Sequence, residues 1–470
     1  MSDSLGSYIE KISENVLETS FSNFDQALLE NAKKRIIDLT GCLICGAYAP
    51  GNLALVNLVK SWGGNKESTI LIHGGKVPAH NAAMLNSIMA RSFDYEAVGA
   101  YVEGVELASH ISGTTVMTAL TLGEARDIDG KELITALLIG DDIACRLLAS
   151  SGFGFTLGWD GNGTVNAFGA TAIAGRLLGL TKKQMQNAFG IVLNQLGGSF
   201  QNIWDGTLCF KLPQGLSARN GIVSAELSKS GWNGPKDALF SKFGYFHLFT
   251  EGCNNPDILI KDLGKKYYTE GTFKPYPCCR ANHAAIDCAI DIANKHNLCF
   301  KNLQEADQVD EIILTVPSRV RNMFVGQPFE IRDIPQADAA FNIRYCVANV
   351  LVRGSISLQH FQEEEIKDPL VKKIADKIAV KEFEDFEQKK ISASIKIIMS
   401  NGEALYAEVD VPRGNPVHKP LSKEEIKDKF FSNVEFSRTI SRKSAEEIIN
   451  LIENLEKVDH ISKLSSLLVT

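Results

Sequence analysis

Apolar residues recur at helical spacing through most of the first 250 positions, and this pattern predicts a region built largely of helices. In residues 24–47 the apolar positions fall on one helical face, at Leu28, Ala32, Ile36, Leu39 and Leu43. Similar spacing predicts further helices at 78–93, 130–149, 165–178, 182–196 and from about 214 to 230. We find no alternating apolar and polar run in this part, so no strands are expected there.

Capping signals mark the starts of two of these helices. Asp129 is followed three residues later by Glu132, and Thr181 is followed in the same way by Gln184. This is the capping-box pattern, in which two side chains bind free backbone N–H groups of the first helical turn. The signals support helix starts near residues 130 and 182.

Alternating segments appear in the second half of the chain and predict β-strands. Residues 309–316 have the composition of a strand. Residues 391–400 and 403–411 alternate around Asn401-Gly402, a pair that favours a hairpin turn. Helices are predicted between these strands at 281–296, 338–353 and 369–378. The mixture indicates a separate α+β domain over residues 270–412.

Charged, amphipathic helices return at residues 422–467, after an irregular link bounded by prolines. Because the α+β segment is inserted between two helical segments, the C-terminal helices are expected to pack back onto the first domain. The predicted fold is therefore mainly α, with residues 1–269 and 413–470 forming one large helical domain and residues 270–412 a smaller α+β domain. A cleft between the two is the expected ligand site.

Composition restricts the class of protein further. The 470 residues are 44% hydrophobic and 22% charged, and the net charge of −7 is spread along the chain without a basic block. Nucleic acid and anionic membrane surfaces are therefore not expected partners. The N-terminal segment lacks the apolar core of a signal peptide, and no run of about 18 apolar residues predicts a membrane span. Ten cysteines in mostly apolar segments indicate reduced thiols and a cytoplasmic protein.

An acidic pair, Asp94 and Glu96, precedes His110 and forms the first candidate site with it. The helix after His110 begins with small and hydroxyl residues, so its free N–H groups and positive dipole end can face an anion. Thr114 in its first turn is a candidate contact. The alternative is a buried, capped helix in which His110 is a satisfied core residue. Its candidate caps are Ser109 and Ser112.

Two further segments place polar residues in unusual surroundings. The glycine-rich loop Gly158–Thr164 contains Asp160 and precedes an alanine-rich helix, although turn chemistry alone explains most of its glycines. Lys211 lies between Phe210 and Leu212. A lysine among apolar residues is expected to be partly buried, and burial lowers its pKa.

A third segment, Lys274–His283, opens the α+β domain with two prolines, two adjacent cysteines and Arg280. The prolines hold the backbone rigid, and the cations lie at a helix start. Adjacent cysteines rarely ligate one metal, and no second pair of ligands is spaced for one, so we predict no metal site. The C-x-x-C pair Cys42 and Cys45 is interpreted as part of the core.

Together these segments resemble the MmgE/PrpD family, which includes 2-methylcitrate dehydratase, cis-aconitate decarboxylase and iminodisuccinate epimerase. The resemblance covers residues 24–435. It depends on the order and spacing of motifs that read FDYE, ASHISGTTVMTALTLGEA, GNGTVNAFGATAIAGRLLGLT, GTLCFKLPQGLSARNGIVSAELSKSGW, FKPYPCCRANHAAID, ADAAFNIRYCVANVLVRG and RGNPVHKPLSKEEIKDKF.

The resemblance implies a large helical domain formed by both chain ends, a smaller α+β lid, a homodimer, and catalysis without metal or organic cofactor in the cleft. The matching pocket positions are Asp94, His110, Lys211, Lys274 and His283, with Arg280 nearby. Two positions depart from the family pattern. Asp160 replaces a histidine of the dehydratase-like and decarboxylase-like members, and Arg321 aligns where the decarboxylase has a pocket tyrosine. Both departures count against cis-aconitate decarboxylase activity.

We predict a lyase that dehydrates a small hydroxy di- or tricarboxylate, as a 2-methylcitrate dehydratase does, by removing a proton next to a carboxylate. His110 is the expected proton-transfer group, and Asp94 orients its ring or contacts substrate. Asp160 is a second acid–base group or a contact to a substrate hydroxyl. The other predicted residues are Lys211, in the catalytic group, and the substrate-binding Lys274, Arg280, His283 and Thr114.

Three alternatives stay open at this point. An epimerase or a decarboxylase of a small di- or tricarboxylate needs similar groups around its substrate. A non-catalytic member of the family would bind a metabolite in the same cleft. A thiol enzyme would use Cys278 or Cys279 as its nucleophile.

Overall fold

Two hydrophobic cores organise the structure, a computed structural model that describes residues 2–107, 109–151, 157–383 and 392–469. The larger core takes its buried side chains from residues 9–273 and again from residues 421–468. The smaller core takes most of its side chains from residues 278–409. The predicted fold class, mainly α with a smaller α+β part, is confirmed. The domain limits at 269/270 and 412/413 stay a prediction.

Helices dominate the first 250 residues, as predicted. They are α1 (Ser2–Glu18), α2 (Gln26–Gly46), α3 (Asn52–Trp62), α4 (Ala79–Arg91), α5 (Ile111–Arg126), α6 (Gly130–Ser151), α7 (Val165–Leu177), α8 (Lys182–Leu193), α9 (Gln201–Trp204), α10 (Leu212–Lys229) and α11 (Tyr245–Leu248). Thr181 and Gln184 form the predicted reciprocal capping box of α8. Asp129 accepts a hydrogen bond of 2.8 Å from the backbone N–H of Glu132 at the start of α6. Local capping chemistry therefore sets both starts.

The helix after His110 starts differently from the prediction. α5 begins directly after His110, which is its N-cap, so neither Ser109 nor Ser112 has that role. The Ser112 hydroxyl instead accepts a hydrogen bond of 3.4 Å from Arg35. The backbone N–H of His110 donates to Asn162 Oδ1 at 3.2 Å. This bond to a neighbouring loop holds His110 at the edge of the helix.

Short strands interrupt the helical body, and those within the first 250 residues are contrary to the expectation of none there. They are β1 (Ser68–Thr69), β2 (Lys76–Val77), β3 (Val98–Val102), β4 (Val105–Leu107) and β5 (Glu270–Thr272). The last three form an antiparallel sheet in the order β4-β3-β5. Glu103 and Gly104, with φ of 49° and 86°, make the two-residue turn between β3 and β4. The alternation on either side of this turn is too short to be recognised as a strand pattern.

The smaller body is built on a four-stranded sheet with the order β7-β6-β8-β9. Its strands are β6 (Val309–Val316), β7 (Ile378–Glu382), β8 (Ala393–Met399) and β9 (Ala404–Val409). β6 is parallel to β7 and antiparallel to β8, and Asn401-Gly402 lies in the turn of the β8–β9 hairpin. The predicted strand 309–316 and the predicted hairpin are therefore confirmed, although residue 391 lies outside the described residues.

Helices cover this sheet and connect its strands. They are α12 (His283–His296), α13 (Leu303–Asp307), α14 (Ser318–Asn322), α15 (Pro335–Ala340), α16 (Ile343–Arg353), α17 (Glu363–Ile366) and α18 (Pro369–Asp376). The predicted helix 338–353 is divided into α15 and α16. Asn342 lies at the break, and its side chain accepts a hydrogen bond from the Tyr345 backbone N–H, which caps α16.

The C-terminal helices return to the larger body. They are α19 (Lys423–Ser437), α20 (Arg442–Glu453) and α21 (Ser462–Leu467). α19 packs against α2, where Phe430 lies directly over Gly41 and Lys429 pairs with Asp38. Within the described residues, no helix has both the length and the apolar character needed to cross a bilayer.

Candidate active site

A cavity of about 510 Å³ lies between the helical body and the α+β body. Its charged lining residues are Arg91, Asp94, Glu106, His110 and Asp160 from the helical body and Arg280 and Arg319 from the α+β body. The large apolar lining residues are Phe200, Ile203, Val320, Met323, Phe324 and Phe341. A concave site with an apolar wall and a few converging charges suits a small organic anion.

Asp94 occupies a left-handed backbone conformation, with φ of 49°, directly after α4. Its carboxylate forms a buried ion pair with Arg91 and lies 2.9 Å from the Lys274 ammonium, which also donates to its backbone carbonyl at 2.6 Å. Burial alone would raise the pKa of Asp94, but these two cations hold it well below its usual value. Asp94 is therefore an anion whose two oxygens are already bound.

Two residues from distant parts of the chain hold the backbone that follows Asp94. Lys429 donates to the Tyr95 carbonyl at 2.6 Å, and Asp38 accepts from the Ala97 backbone N–H at 2.9 Å. Lys429 and Asp38 also pair with each other at 2.6 Å. Glu96, which lies between these two attachment points, therefore has a fixed main chain.

Glu96 is fully buried beside Arg91 and His110. Its Oε1 lies 3.2 Å from a guanidinium nitrogen of Arg91 and 3.0 Å from His110 Nδ1. Burial favours the neutral acid, but Arg91, His110 and Lys274 together outweigh it and lower the pKa of Glu96 to about 2. The residue is thus a carboxylate at neutral pH.

His110 lies between the two carboxylates, and part of its side chain reaches the cavity. Its Nε2 is 3.4 Å from Asp94 Oδ1. Burial lowers the pKa of His110, and Arg91 and Lys274 lower it further, although Glu96 and Asp94 oppose this effect. The imidazole is therefore neutral near pH 7 and able to accept a proton.

Asp160 lies in the loop that precedes α7 and also lines the cavity. Its side chain accepts a hydrogen bond of 2.9 Å from the Asn162 backbone N–H, and its own N–H donates to the Gly198 carbonyl at 3.0 Å. Burial raises the pKa of Asp160, although the Asn162 bond and Arg91 oppose it. Because Asn162 also binds the His110 N–H, one residue links the base to this acid.

The side chains of Asp94, Glu96 and His110 have the composition of a metal site, with ligand atoms within 4.8 Å of one another. Their surroundings do not suit a divalent cation, because the buried cations Arg91 and Lys274 already contact the carboxylates. Another cation would meet repulsion from both. We therefore interpret the group as a charge-balanced cluster around a histidine.

Lys211 and Thr114 are not among the described residues that line the cavity, contrary to the expectation from the sequence. The Lys211 ammonium donates instead to the Pro50 carbonyl at 2.7 Å and to Asn52 Oδ1 at 3.0 Å. Burial lowers its pKa to about 8, as anticipated for a lysine in apolar surroundings. The Thr114 hydroxyl is turned inward and donates to the Gln214 carbonyl at 3.1 Å.

Of the three residues predicted in segment 274–283, one lines the cavity and two are buried behind its wall. Arg280 lines the cavity, where its guanidinium donates to the Arg413 carbonyl at 2.7 Å. Lys274 is fully buried behind Asp94, and His283 is fully buried with Nδ1 3.2 Å from Arg280. Burial holds the pKa of His283 well below its usual value, so it is neutral. Lys274 and His283 thus support the wall residues rather than form the wall.

Arg319, and not Arg321, is the arginine of α14 that lines the cavity. The Arg321 side chain is 47% exposed and pairs with Glu382 at 3.5 Å, outside the cavity. Arg319 lies two residues earlier, lines the cavity, and has no ion-pair partner among the described residues. Arg321, the residue matched to the pocket tyrosine, therefore lies outside the cavity, and Arg319 is a cavity cation that the sequence-based prediction did not include.

The sequence-based prediction missed Arg91 as a site residue and assigned no role to Glu96. Arg91 ends a helix whose other residues are mostly apolar, and two acids follow it within five positions. A buried arginine near such acids is expected to pair with them, so this spacing was a usable signal. Glu106 was hidden in the short β4 strand, and no pattern marks it.

The two candidate cysteines, Cys278 and Cys279, do not have the properties of nucleophiles. Cys278 is fully buried, and burial raises its pKa well above the usual value. Cys279 lines the cavity, but burial raises its pKa to about 12. Both are therefore thiols rather than thiolates at neutral pH. Cys42 and Cys45 are buried core residues, as predicted.

Comparison with known proteins extends over nearly the whole chain. Residues 10–256 match the model of the MmgE/PrpD N-terminal domain, and residues 276–457 match that of the MmgE/PrpD C-terminal domain. The chain is similar to cis-aconitate decarboxylase of Homo sapiens, with 24% identity over 453 residues that cover 94% of this chain and 90% of the relative. It is also similar to cis-aconitate decarboxylase of Aspergillus terreus, with 25% identity over 462 residues that cover 94% and 91%.

Proposed function

The chain belongs to the MmgE/PrpD family, and from this premise we propose that it is a lyase that removes water from a small hydroxy di- or tricarboxylate. The observation that carries the proposal is the pairing of a neutral base with a protonatable acid on one cavity. Burial lowers the pKa of His110 and raises that of Asp160, which moves each group toward the protonation state that acid–base elimination requires.

In the proposed reaction His110 Nε2 takes the proton from the carbon next to a substrate carboxylate. The electron pair of that C–H bond forms the new C=C bond, and the C–O bond to the hydroxyl breaks. The leaving hydroxide takes the proton of Asp160 and departs as water. The imidazolium and the Asp160 carboxylate then return to their starting forms by passing one proton from His110 to Asp160 through solvent.

Cations at the cavity wall are proposed to hold the substrate carboxylates. Arg319 is available for this purpose because its charge has no ion-pair partner among the described residues. Arg280 is held by backbone carbonyls, which direct its guanidinium without neutralising it. Arginine suits the task because its planar fork binds a carboxylate through two hydrogen bonds.

Decarboxylation of a small tricarboxylate is the second candidate, and two observations favour it. The relatives named above are cis-aconitate decarboxylases. The apolar side of the cavity, with Phe200, Phe324 and Phe341, would also surround a carboxylate with little water, which favours loss of CO₂ from a charged group. In that reaction the protonated Asp160 would donate its proton to the carbanion that CO₂ leaves behind.

A panel of citrate, 2-methylcitrate, cis-aconitate and malate, incubated in deuterated water and read by mass spectrometry, tests both candidates. We expect loss of water from a hydroxy acid, and the His110→Asn variant should lose this activity. Loss of CO₂ would favour the second candidate, and deuterium uptake without net loss would indicate an epimerase. If the acids raise the melting temperature but none is converted, the protein binds metabolites without catalysis, and the proposal is wrong.

A further inference from the structure

Glu96 and His110 bring two buried polar atoms face to face without an aligned hydrogen bond. His110 Nδ1 and Glu96 Oε1 lie 3.0 Å apart, and both atoms are shielded from solvent. Neither has an aligned hydrogen-bond partner among the described residues. Leaving two such groups unpaired costs free energy, whereas a small rotation of either side chain would satisfy both.

The other ring nitrogen of His110 has a different neighbour. Nε2 lies 3.4 Å from Asp94 Oδ1, which already accepts a hydrogen bond from Arg91. Asp94 Oδ1 thus already has a hydrogen-bond donor, whereas Glu96 Oε1 has none among the described residues. A neutral imidazole carries one N–H, and this comparison places it on Nδ1.

We propose that Glu96 is a positioning residue, which binds the Nδ1–H of His110 and so leaves Nε2 without a hydrogen, free to take the substrate proton. The catalytic role of Glu96 rests on the function proposed above, whereas the assignment of the His110 tautomer does not depend on it. A carboxylate behind a histidine fixes the ring orientation and stabilises the imidazolium that forms when the ring is protonated.

The main chain around Glu96 is suited to this task. Its two neighbours are anchored by Lys429 and Asp38, and Arg91 approaches Oε1 from a third direction at 3.2 Å. A site residue placed within a few tenths of an ångström needs such support from its surroundings. Glu96 therefore has little freedom to turn away from the ring.

Nitrogen-15 spectra of the histidine rings test the tautomer without any substrate. The chain has nine histidines, and the His110 signals are assigned by their absence from the His110→Gln spectrum. We expect the wild type to have a protonated Nδ1 and a bare Nε2 at neutral pH. In Glu96→Leu the acceptor is gone, and the proton should move to Nε2, the nitrogen that a free imidazole prefers.

Two further variants separate orientation from charge and from folding. In Glu96→Gln, Arg91 should hold the amide oxygen at the Oε1 position, so that the tautomer is kept while the negative charge is lost. The matched control is Tyr95→Phe, which removes a single 3.3 Å bond from the Tyr95 hydroxyl to the Pro275 carbonyl and leaves both carboxylates in place. The control should have the wild-type tautomer.

Steady-state kinetics with the acid that the substrate panel identifies give the second readout. Glu96→Leu should lower kcat by about 100-fold or more with KM changed by less than about threefold, because the loss is in proton transfer. Glu96→Gln should lose less, and Glu96→Asp should recover part of the activity. The pH at which kcat rises should shift down in Glu96→Gln, because the negative charge of Glu96 raises the pKa of His110 and the neutral amide does not.

The outcomes separate the two proposals. A wild-type spectrum with the proton on Nε2, or the same tautomer in Glu96→Leu as in the wild type, would overturn the role of Glu96 whatever the enzyme does. Absence of turnover with every acid, combined with the expected tautomers, would overturn the proposed function and leave the Glu96–His110 pairing in place.

Discussion

Lys429 Nζ lies 2.6 Å from Asp38 Oδ1 inside the helical body, and these two side chains bind the main chain on both sides of Glu96. One is on α19, near the end of the chain, and the other is on α2. The geometry of the candidate base therefore depends on contacts between residues separated by most of the sequence.

Replacement of Lys429 by methionine should both destabilise the protein and disturb the site. Breaking a buried ion pair from one side costs about 3–5 kcal/mol, because the partner carboxylate is left without compensation. The control is Lys423→Met on the same helix, which removes two partly exposed ion pairs, with Glu30 and Glu453, and should cost about 1 kcal/mol or less. Unfolding in urea measures both. Equal stability of the two variants would contradict the importance of the Lys429–Asp38 pair.

His110→Asn and Asp160→Asn should each lower kcat by about 100- to 10,000-fold, since each removes one proton-transfer group. Asparagine at position 160 keeps an acceptor for the Asn162 N–H and so preserves the loop. Steady-state rates at saturating substrate are the measurement. A rate within threefold of the wild type for either variant would remove that residue from the mechanism.

Arg319→Gln should raise KM by about tenfold or more, because a charged hydrogen bond to a carboxylate contributes roughly 1.5–3 kcal/mol. Its matched control is Arg321→Gln, which lies on the same short helix but pairs with Glu382 outside the cavity. The control should have wild-type KM and kcat. If both variants behave alike, Arg319 does not bind the substrate.

The pH dependence of kcat/KM should be bell-shaped. His110 must be neutral to accept a proton, so activity rises with pH through its pKa, which lies below 6.5. Asp160 must be protonated to donate, so activity falls as pH rises through its pKa, which lies above 3.8. The charged groups facing His110 are Arg91, Lys274, Glu96 and Asp94. Asp160→Asn should abolish the descending limb, and a descending limb unchanged in that variant would assign it to another group.

Iodoacetamide at neutral pH should leave the activity unchanged. Cys209 is exposed and available to the reagent, whereas Cys278 and Cys279 are thiols with raised pKa values. Peptide mass spectrometry identifies the labelled residues, and Cys209→Ser provides the control for indirect effects of labelling near the cavity. Inactivation that accompanies alkylation of Cys279 would restore the thiol mechanism as a candidate.

Long periodic elements were predictable from the sequence because their signals are local. The strand 309–316, the Asn401-Gly402 hairpin and the capping box at Thr181 each depend on residues within a few positions of one another. The β3–β4 hairpin was missed because each side offers only a few residues, and its Glu103-Gly104 turn is recognisable chiefly from its two positive φ angles.

The site was predictable in its chemistry but only partly in its geometry. His110, Asp94, Asp160 and Arg280 line the cavity, as expected for residues of their type in those motifs. Lys211 and Lys274 are equally suited to bind an anion by type, but their ammonium groups are bound within the protein, which no sequence pattern reveals. Arg319 and Arg321 lie on one short helix, but only Arg319 lines the cavity, a difference in direction that the sequence does not reveal.

The two-part origin of the larger core has a consequence for biosynthesis. Its first contributors end at residue 273 and the next begin at residue 421, so 420 − 273 = 147 residues must be translated between them. At about 5–20 residues per second this interval lasts roughly 7–30 s. During that time the early helices leave the ribosome with an apolar surface that only the last fifty or so residues can cover. Nascent chains halted before α19 are thus expected to need a chaperone and to aggregate rather than accumulate as a soluble precursor.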